Sequence, residues 1–316
     1  KRLRSIPTTT LDGTLIELHA NIELPQDIEQ VRESGATGIG LFRSEFLFLN
    51  RDDLPSENEQ FEAYSIVAQS MRGLPVTIRT FDLGADKNLK NSYRSTINPA
   101  LGLRAIRLSL VEQVMFLTQL RAILRASAHG QIRILIPMLS SDYEINQTLH
   151  LIDHAKKSLQ DEKKPFDENI KIGGMIEIPA AALCLEMFMR KLDFLSIGTN
   201  DLIQYTLAID RADDTVAHLY DPLHPSILWL LARVIYTASR ANMPVSICGE
   251  IAGDIQYTRL LLGLGLQQFS MYPAQILTVK HEILKSHLPS IMPLIQKILR
   301  TDESEKIHAL LAKLNN

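Results

Sequence analysis

The sequence predicts an α/β chain folded as a (β/α)8 TIM barrel. Eight short apolar runs recur along it, each closed by turn formers or charged residues, and stretches with helical periodicity lie between them. The length, 316 residues of which 46% are hydrophobic, supplies one large core and suits a single barrel of this kind. In addition, the polar residues that chemistry would select follow the strand-like runs, at the end of the strands where such barrels carry their sites.

The elements follow in order. The first strand-like run spans 15–21, and a short helix at 26–34 is stopped by Gly35. A second run, 38–41, leads into Phe42-Arg43-Ser44-Glu45. Ser56 with Glu59 three residues on forms a capping box, and Phe61, Tyr64, Ala68 and Met71 fall on one face of the helix it opens. Val76–Arg79 is the third strand. The segment 80–101 carries Gly84, Lys87, Arg94 and Pro99 without periodicity, as expected of a loop that covers a site. Helical sequence then runs through Ala128 to the strand Ile132–Ile136, which Pro137 ends. A second capping box, Ser141 with Glu144, opens a helix that runs to the charged loop 161–168. The strand 172–178 and the helix 180–190 precede the stretch 193–211, DFLSIGTNDLIQYTLAIDR. Within it Phe194–Ile197 is strand, Gly198-Thr199-Asn200-Asp201 is turn, and Leu202, Tyr205 and Leu207 continue as helix. The helix 225–239 starts with proline where a missing N–H does no harm. The strand 245–248, the helix 254–262, the strand Gln268–Met271 and a helical tail, 276–316, complete the pattern. We read the chain as a single domain, 1–316, with a linker remnant at about 1–12.

Charge and composition exclude several classes. The 33 basic and 36 acidic residues nearly cancel, to a formal charge of −3, which gives no sign of nucleic acid or an anionic membrane as partner. No apolar run approaches the roughly 20 residues of a membrane span, and KRLRSIPTTT lacks the apolar core of a signal peptide. The expected compartment is the cytoplasm. Cys184 and Cys248 form no disulfide framework, which suits a reducing environment. The start at Lys1, without Met, reads as a piece of a longer chain.

The residues at the C-terminal ends of the strands are Asn21, Arg43, Arg79, Glu177, Asn200, Asp201, Cys248, Glu250 and Ser270. Taken singly, each has an ordinary explanation: a rim ion pair for an arginine, a helix cap for Asp201, a small buried hydrophobe for Cys248. Together they make a site. Glu177 and Asp201 can offer two oxygens to Mg²⁺, which leaves its other positions to water and substrate. Arg43 and Arg79, with Arg104 and Arg211 from loops, exceed what a monoanion needs, and arginine donates bidentately to phosphate and carboxylate. The set points to a small phosphorylated acid. Cys248 could serve as an acid, a nucleophile or a ligand, of which acid–base work or packing fits a lone cysteine best. Cys184, in an Ala-rich helix, is assigned to packing. His218 and His224 have no partner at ligand spacing, so His224 is expected as a helix cap or surface residue and His218 as a loop or dimer contact. Residues 1–4 and 161–168 read as solvated charge.

The blocks IGLFRSEFLF, IRTFDLGADK, NPALGLRAIR, GGMIEIPAAA, SIGTNDLIQYTLAIDR and CGEIAGD, in order from residue 38 to 270, resemble the phosphoenolpyruvate-binding domain of Enzyme I, the phosphoenolpyruvate–protein phosphotransferase of bacterial sugar uptake. The resemblance implies a homodimeric, Mg²⁺-dependent barrel that binds phosphoenolpyruvate. By position, Glu177 and Asp201 hold the metal, Arg43, Arg79 and Arg211 grip the phosphoryl group, and Arg104 and the Asn200 backbone fix the phosphate and carboxylate ends. Lys87 belongs to a closing loop, and Cys248 protonates C3 of the enolate to complete pyruvate. The resemblance further implies transfer to a histidine of a separate N-terminal domain, in a Gly-x-x-Ser-His-x-Ala context, and on to a histidine-containing carrier protein. None of the nine histidines here has that context; His129, in SAHG, comes nearest. This chain alone is therefore expected to bind phosphoenolpyruvate without phosphorylating the carrier. Tyr272 departs from the small residue expected there. Alternatives are the nitrogen-regulatory paralogue, the barrel of pyruvate phosphate dikinase or phosphoenolpyruvate synthase, and a non-catalytic sensing module that dimerises.

Overall fold

The computed structural model describes residues 2–84 and 98–316. Lys87, and most of the loop expected to cover the site, lie outside the described residues. Eight parallel strands close into a barrel: β1 Glu17–Ile22, β2 Ile39–Arg43, β3 Val76–Arg79, β4 Ile132–Ile136, β5 Lys171–Ile176, β6 Phe194–Ile197, β7 Val245–Ile247 and β8 Gln268–Met271. β8 pairs with β1, so no edge is left open. The main core fills the layer between strands and helices. A smaller apolar cluster of Leu41, Leu135, Met175, Phe194 and Cys248 is separate from it.

Register aligns what the sequence only spaced. Arg43 pairs with Arg79 across β2 and β3, and Ile176, Ile197 and Ile247 form one level across β5, β6 and β7. Glu177, Gly198 and Cys248 each follow that level by one residue. Three strand positions far apart in sequence therefore open onto the same mouth.

Both capping boxes form: Glu59 N–H donates to Ser56 Oγ at 3.2 Å and Ser56 N–H to Glu59 at 2.7 Å, and Ser141 and Glu144 do the same at 3.4 and 3.1 Å. On the helix Glu57–Ser70, Tyr64 and Ala68 are buried as expected, with Met71 at its C-cap. Other expectations need correction. The strand 38–41 extends to Arg43, and the strand 172–178 stops at Ile176. No turn separates β6 from its helix: Thr199–Leu207 starts at once, which puts Asp201 in the first helical turn. The helix expected at 180–190 is two, Pro179–Leu183 and Leu185–Met189, because Cys184 between them leaves helical geometry with ψ +38°. Its thiol is exposed, so the packing role assigned to Cys184 fails.

The helix Arg2–Ser5 sits at the barrel's N-terminal end, where the buried Lys280 donates its ammonium protons to the Arg4 and Ile6 carbonyls. Gly35, at φ +75°, admits this segment, since a Cβ there would meet Arg4 backbone and side-chain atoms at 2.8 Å. The tail adds the helices Pro273–Leu284, Leu288–Leu299 and Ser304–Asn315, and Gly263 lets Ile295 of the tail approach closely.

Gly173 on β5 gives Phe194 its space: a Cβ at 173 would lie 2.3 Å from the ring. Gly173→Ala is expected to cost about 1–3 kcal/mol by overpacking, read as a lower denaturant midpoint at unchanged slope. Adding Phe194→Leu should cost less in that background than in the wild type; strict additivity would mean that the two residues do not share this space.

Candidate functional site

A cavity of about 430 Å³ opens at the C-terminal ends of the strands, and Arg43, Arg79, Arg104, Glu177, Asn200, Asp201, Arg211, Cys248 and Glu250 all line it. Asn21 and Ser270 do not. They lie buried beneath it, where Ser270 Oγ donates to Asn21 Oδ1 at 2.6 Å and Asn21 Nδ2 donates to the Cys248 carbonyl at 3.0 Å. They brace β1, β7 and β8 and hold the backbone that carries the thiol.

The cationic wall is built from ion pairs. Arg79 lies between Glu45 at 3.2 Å and Asp82 at 2.9 Å, and Asp82 also reaches Arg104 at 3.1 Å. Burial works against the charge on Arg79, but Glu45, Asp82 and Glu177 more than offset it and raise its pKa. Burial likewise opposes the Asp82 carboxylate, which Arg79 and Arg104 nevertheless hold below its ordinary range. Arg43, Arg79, Arg104 and Arg211 bring four guanidinium groups to one cavity, so this wall suits an anion. Arg43 is held at the rim by Glu23 and by the Tyr272 hydroxyl at 2.7 Å, with its guanidinium 5.6 Å from the Tyr272 ring centre. The departure at 272 thus supplies an arginine partner. Arg211 pairs with Glu250 at 3.0 Å, and Asn200 and Glu250 bond reciprocally, Nδ2 to Oε1 at 3.1 Å and Glu250 N–H to Oδ1 at 3.0 Å.

An acidic cluster adjoins it and shares Asp82. Asp82, Glu177 and Asp201 each place a carboxylate oxygen within 4.8 Å of the others. Gly198, not Asp201, is the N-cap of the helix Thr199–Leu207, and Asp201 is the acidic residue of its first turn. Glu177 is 1% exposed and accepts the Met138 N–H at 2.6 Å, an amide presented by a residue at φ +58°. Burial, and then the charges of Asp201 and Asp82, push its pKa well above the usual carboxylate range. Crowded hard oxygens of this kind are the donor set a divalent cation takes, and Asp82 joins in it the pair chosen from sequence, Glu177 and Asp201. Gly198 keeps the Glu177 oxygen clear, since a Cβ there would stand 2.8 Å from it. Cys248 is 4% exposed, and burial pushes its thiol up.

Sequence reading missed Asp82, Glu45 and Glu23. Asp82 stands three residues after Arg79 in the block IRTFDLGADK, and Glu45 two after Arg43, so both carried a spacing signal. His224 caps its helix, Nδ1 accepting the Ser226 N–H at 3.2 Å, and among the described residues no histidine lines the cavity.

Residues 1–288 match the family described as PEP-utilising enzyme, PEP-binding domain. The chain belongs to that family. Three similar curated proteins are all named phosphoenolpyruvate-protein phosphotransferase. The one from Cupriavidus necator is 58% identical over 318 residues, covering 99% of this chain and 54% of that protein. The one from Buchnera aphidicola is 46% identical, with 99% and 55% covered, and the one from Priestia megaterium 44%, with 95% and 52%. The chain thus spans about half the length of these relatives. Membership in a PEP-binding family agrees with a cavity lined by both arginines and carboxylates.

The burial of Cys248 and the exposure of Cys184 predict unequal labelling. At pH 8, iodoacetamide should modify Cys184 first and Cys248 at least about tenfold more slowly, as peptide mass mapping would show. Equal rates would mean that Cys248 is open to solvent.

Proposed function

We propose that this chain binds phosphoenolpyruvate with Mg²⁺, and that within a full-length phosphoenolpyruvate–protein phosphotransferase the phosphoryl group passes to a histidine outside the barrel and on to a histidine-containing carrier protein, releasing pyruvate. The observation that carries this reading is one cavity lined by Arg43, Arg79, Arg104 and Arg211 together with the clustered carboxylates of Asp82, Glu177 and Asp201. A bound Mg²⁺ would supply fixed positive charge against the phosphoryl and enolate oxygens. Glu177 and Asp201 would hold it, with Asp82 at hand.

Arg43, Arg79 and Arg211 bind the phosphoryl group, while Arg104 and the Asn200 backbone help to fix the phosphate and carboxylate ends. Asp82 and Glu45 hold Arg79 in place before the ligand arrives, so little reorganisation is needed. Cys248 protonates C3. The S–H bond breaks with its electron pair left on sulfur, the enolate π electrons form the C–H bond, and the enolate oxygen becomes the pyruvate carbonyl. Lys87 belongs to the same reading as part of a closing loop. So do the homodimer, the single-domain reading of 1–316 and a cytoplasmic location, with which the lack of a helix long and apolar enough to cross a membrane among the described residues agrees.

The test is calorimetric titration of phosphoenolpyruvate with Mg²⁺ and then with EDTA. Saturable binding is expected with Mg²⁺ and not with EDTA, and Asp201→Ala and Glu177→Gln should each lose it. Glu177→Gln should melt no lower than the wild type without metal, because it removes a buried, crowded carboxylate and keeps an oxygen for Met138 N–H. Binding that persists in EDTA would overturn the metal role. Phosphorylation of the carrier by this chain alone would overturn the external acceptor.

A further inference from the structure

Two buried hydroxyls beneath the site remain without a role. Ser246 Oγ donates to Ser196 Oγ at 3.2 Å, and Ser196 Oγ donates to Cys248 Sγ at 3.2 Å. The thiol in turn is directed at the Ile197 carbonyl, 3.6 Å away. Register explains the line. Ser196 and Ser246 are paired across β6 and β7, and Cys248, two residues beyond Ser246, shares its face of the strand. Ser196 is 1% exposed and Ser246 8%, and the thiol packs with Leu41, Leu135, Met175 and Phe194. Alanines would fill such positions without the cost of burying hydroxyls. A serine has a single O–H, and each of these two points it toward the sulfur.

We propose that Ser196, backed by Ser246, is a positioning residue that holds Cys248 and stabilises the sulfur anion left when the thiol gives up its proton. The inference rests on the reading in which Cys248 protonates C3. The charged groups around the sulfur come from other strands: Glu177 beyond β5 disfavours the anion, while Arg79 on β3 and Arg43 on β2 favour it. Ser196 is the hydrogen-bond donor to the sulfur among the described residues, and its bond strengthens as the acceptor gains charge. In the thiol state the S–H can rest on the Ile197 carbonyl and must turn from it toward the cavity to deliver its proton. Ser196 stays fixed through that turn because Ser246 holds its oxygen.

The experiment measures the sulfur directly and does not depend on phosphoenolpyruvate binding. In a Cys184→Ser background with EDTA, the rate of Cys248 alkylation by iodoacetamide is followed from pH 7 to 10. Ser196→Ala should slow it about tenfold at a given pH and move its rise to higher pH, the loss of one hydrogen bond to a charged group. Ser246→Ala, one hydroxyl further from the sulfur, should shift the profile in the same direction by less. Unchanged or faster alkylation in both variants, each folded by circular dichroism, would overturn the proposal. A second arm follows loss of the pyruvate methyl signal in D₂O with Mg²⁺ and inorganic phosphate. Ser196→Ala should slow exchange while phosphoenolpyruvate affinity stays within about twofold of wild type. An equal loss of affinity would instead make Ser196 part of the binding wall and count against the proposal. If the wild type shows no exchange, the C3 acid role of Cys248 falls, and the alkylation profiles still decide what Ser196 does to the sulfur.

Discussion

Buried charge at the barrel mouth has to be balanced within the protein, and Arg79 is where the balance is struck. Its guanidinium spans Glu45 and Asp82, and Asp82 carries the connection to Arg104. Removing one member would leave the others as uncompensated buried charges, which costs far more than an exposed ion pair is worth. The cluster therefore behaves as one unit. Through Asp82 it also ties the arginines to the carboxylate cluster with Glu177 and Asp201.

The barrel interior is arranged to make room for this. Gly40 leaves space for Ser270 Oγ, Gly173 for the Phe194 ring and Gly249 for Thr199 Oγ1, each at a place where a Cβ would come within 2.3 Å or less of its neighbour. Polar side chains below the cavity are used in pairs: Asn21 with Ser270 under β1 and β8, Ser196 with Ser246 under β6 and β7. Each pair satisfies itself and supports one atom group of Cys248, the first its carbonyl and the second its sulfur. The cysteine is thus held from two sides by residues that never touch the cavity.

The barrel was legible because buried parallel strands are continuous apolar runs and capping boxes mark helix starts, and the strand-end rule then sorted Arg43, Arg79, Glu177, Asp201 and Cys248 into one place. What failed depends on backbone dihedrals and long-range pairing. The break at Cys184 is a single ψ value in sequence that otherwise reads as helix, and Ala-rich composition gives no hint of the exposure that follows. Asp82 was overlooked because it falls in aperiodic sequence, and its role arises from contact with two arginines from separate segments. Tyr272 was noticed only as a departure; its partner Arg43 lies 229 residues away, so the contact exists only once β8 closes against β1 beside β2.

The docking of the first residues has a spatial consequence. Arg4 to Thr8 line a depression with Glu17, Pro75, Gln131 and Arg133, at the end where the strands begin, while the arginines and carboxylates crowd the end where they finish. A strand of five residues measures about 17 Å. The first residues of the chain and the arginine-lined cavity thus occupy opposite poles of the barrel, held apart by the length of its strands.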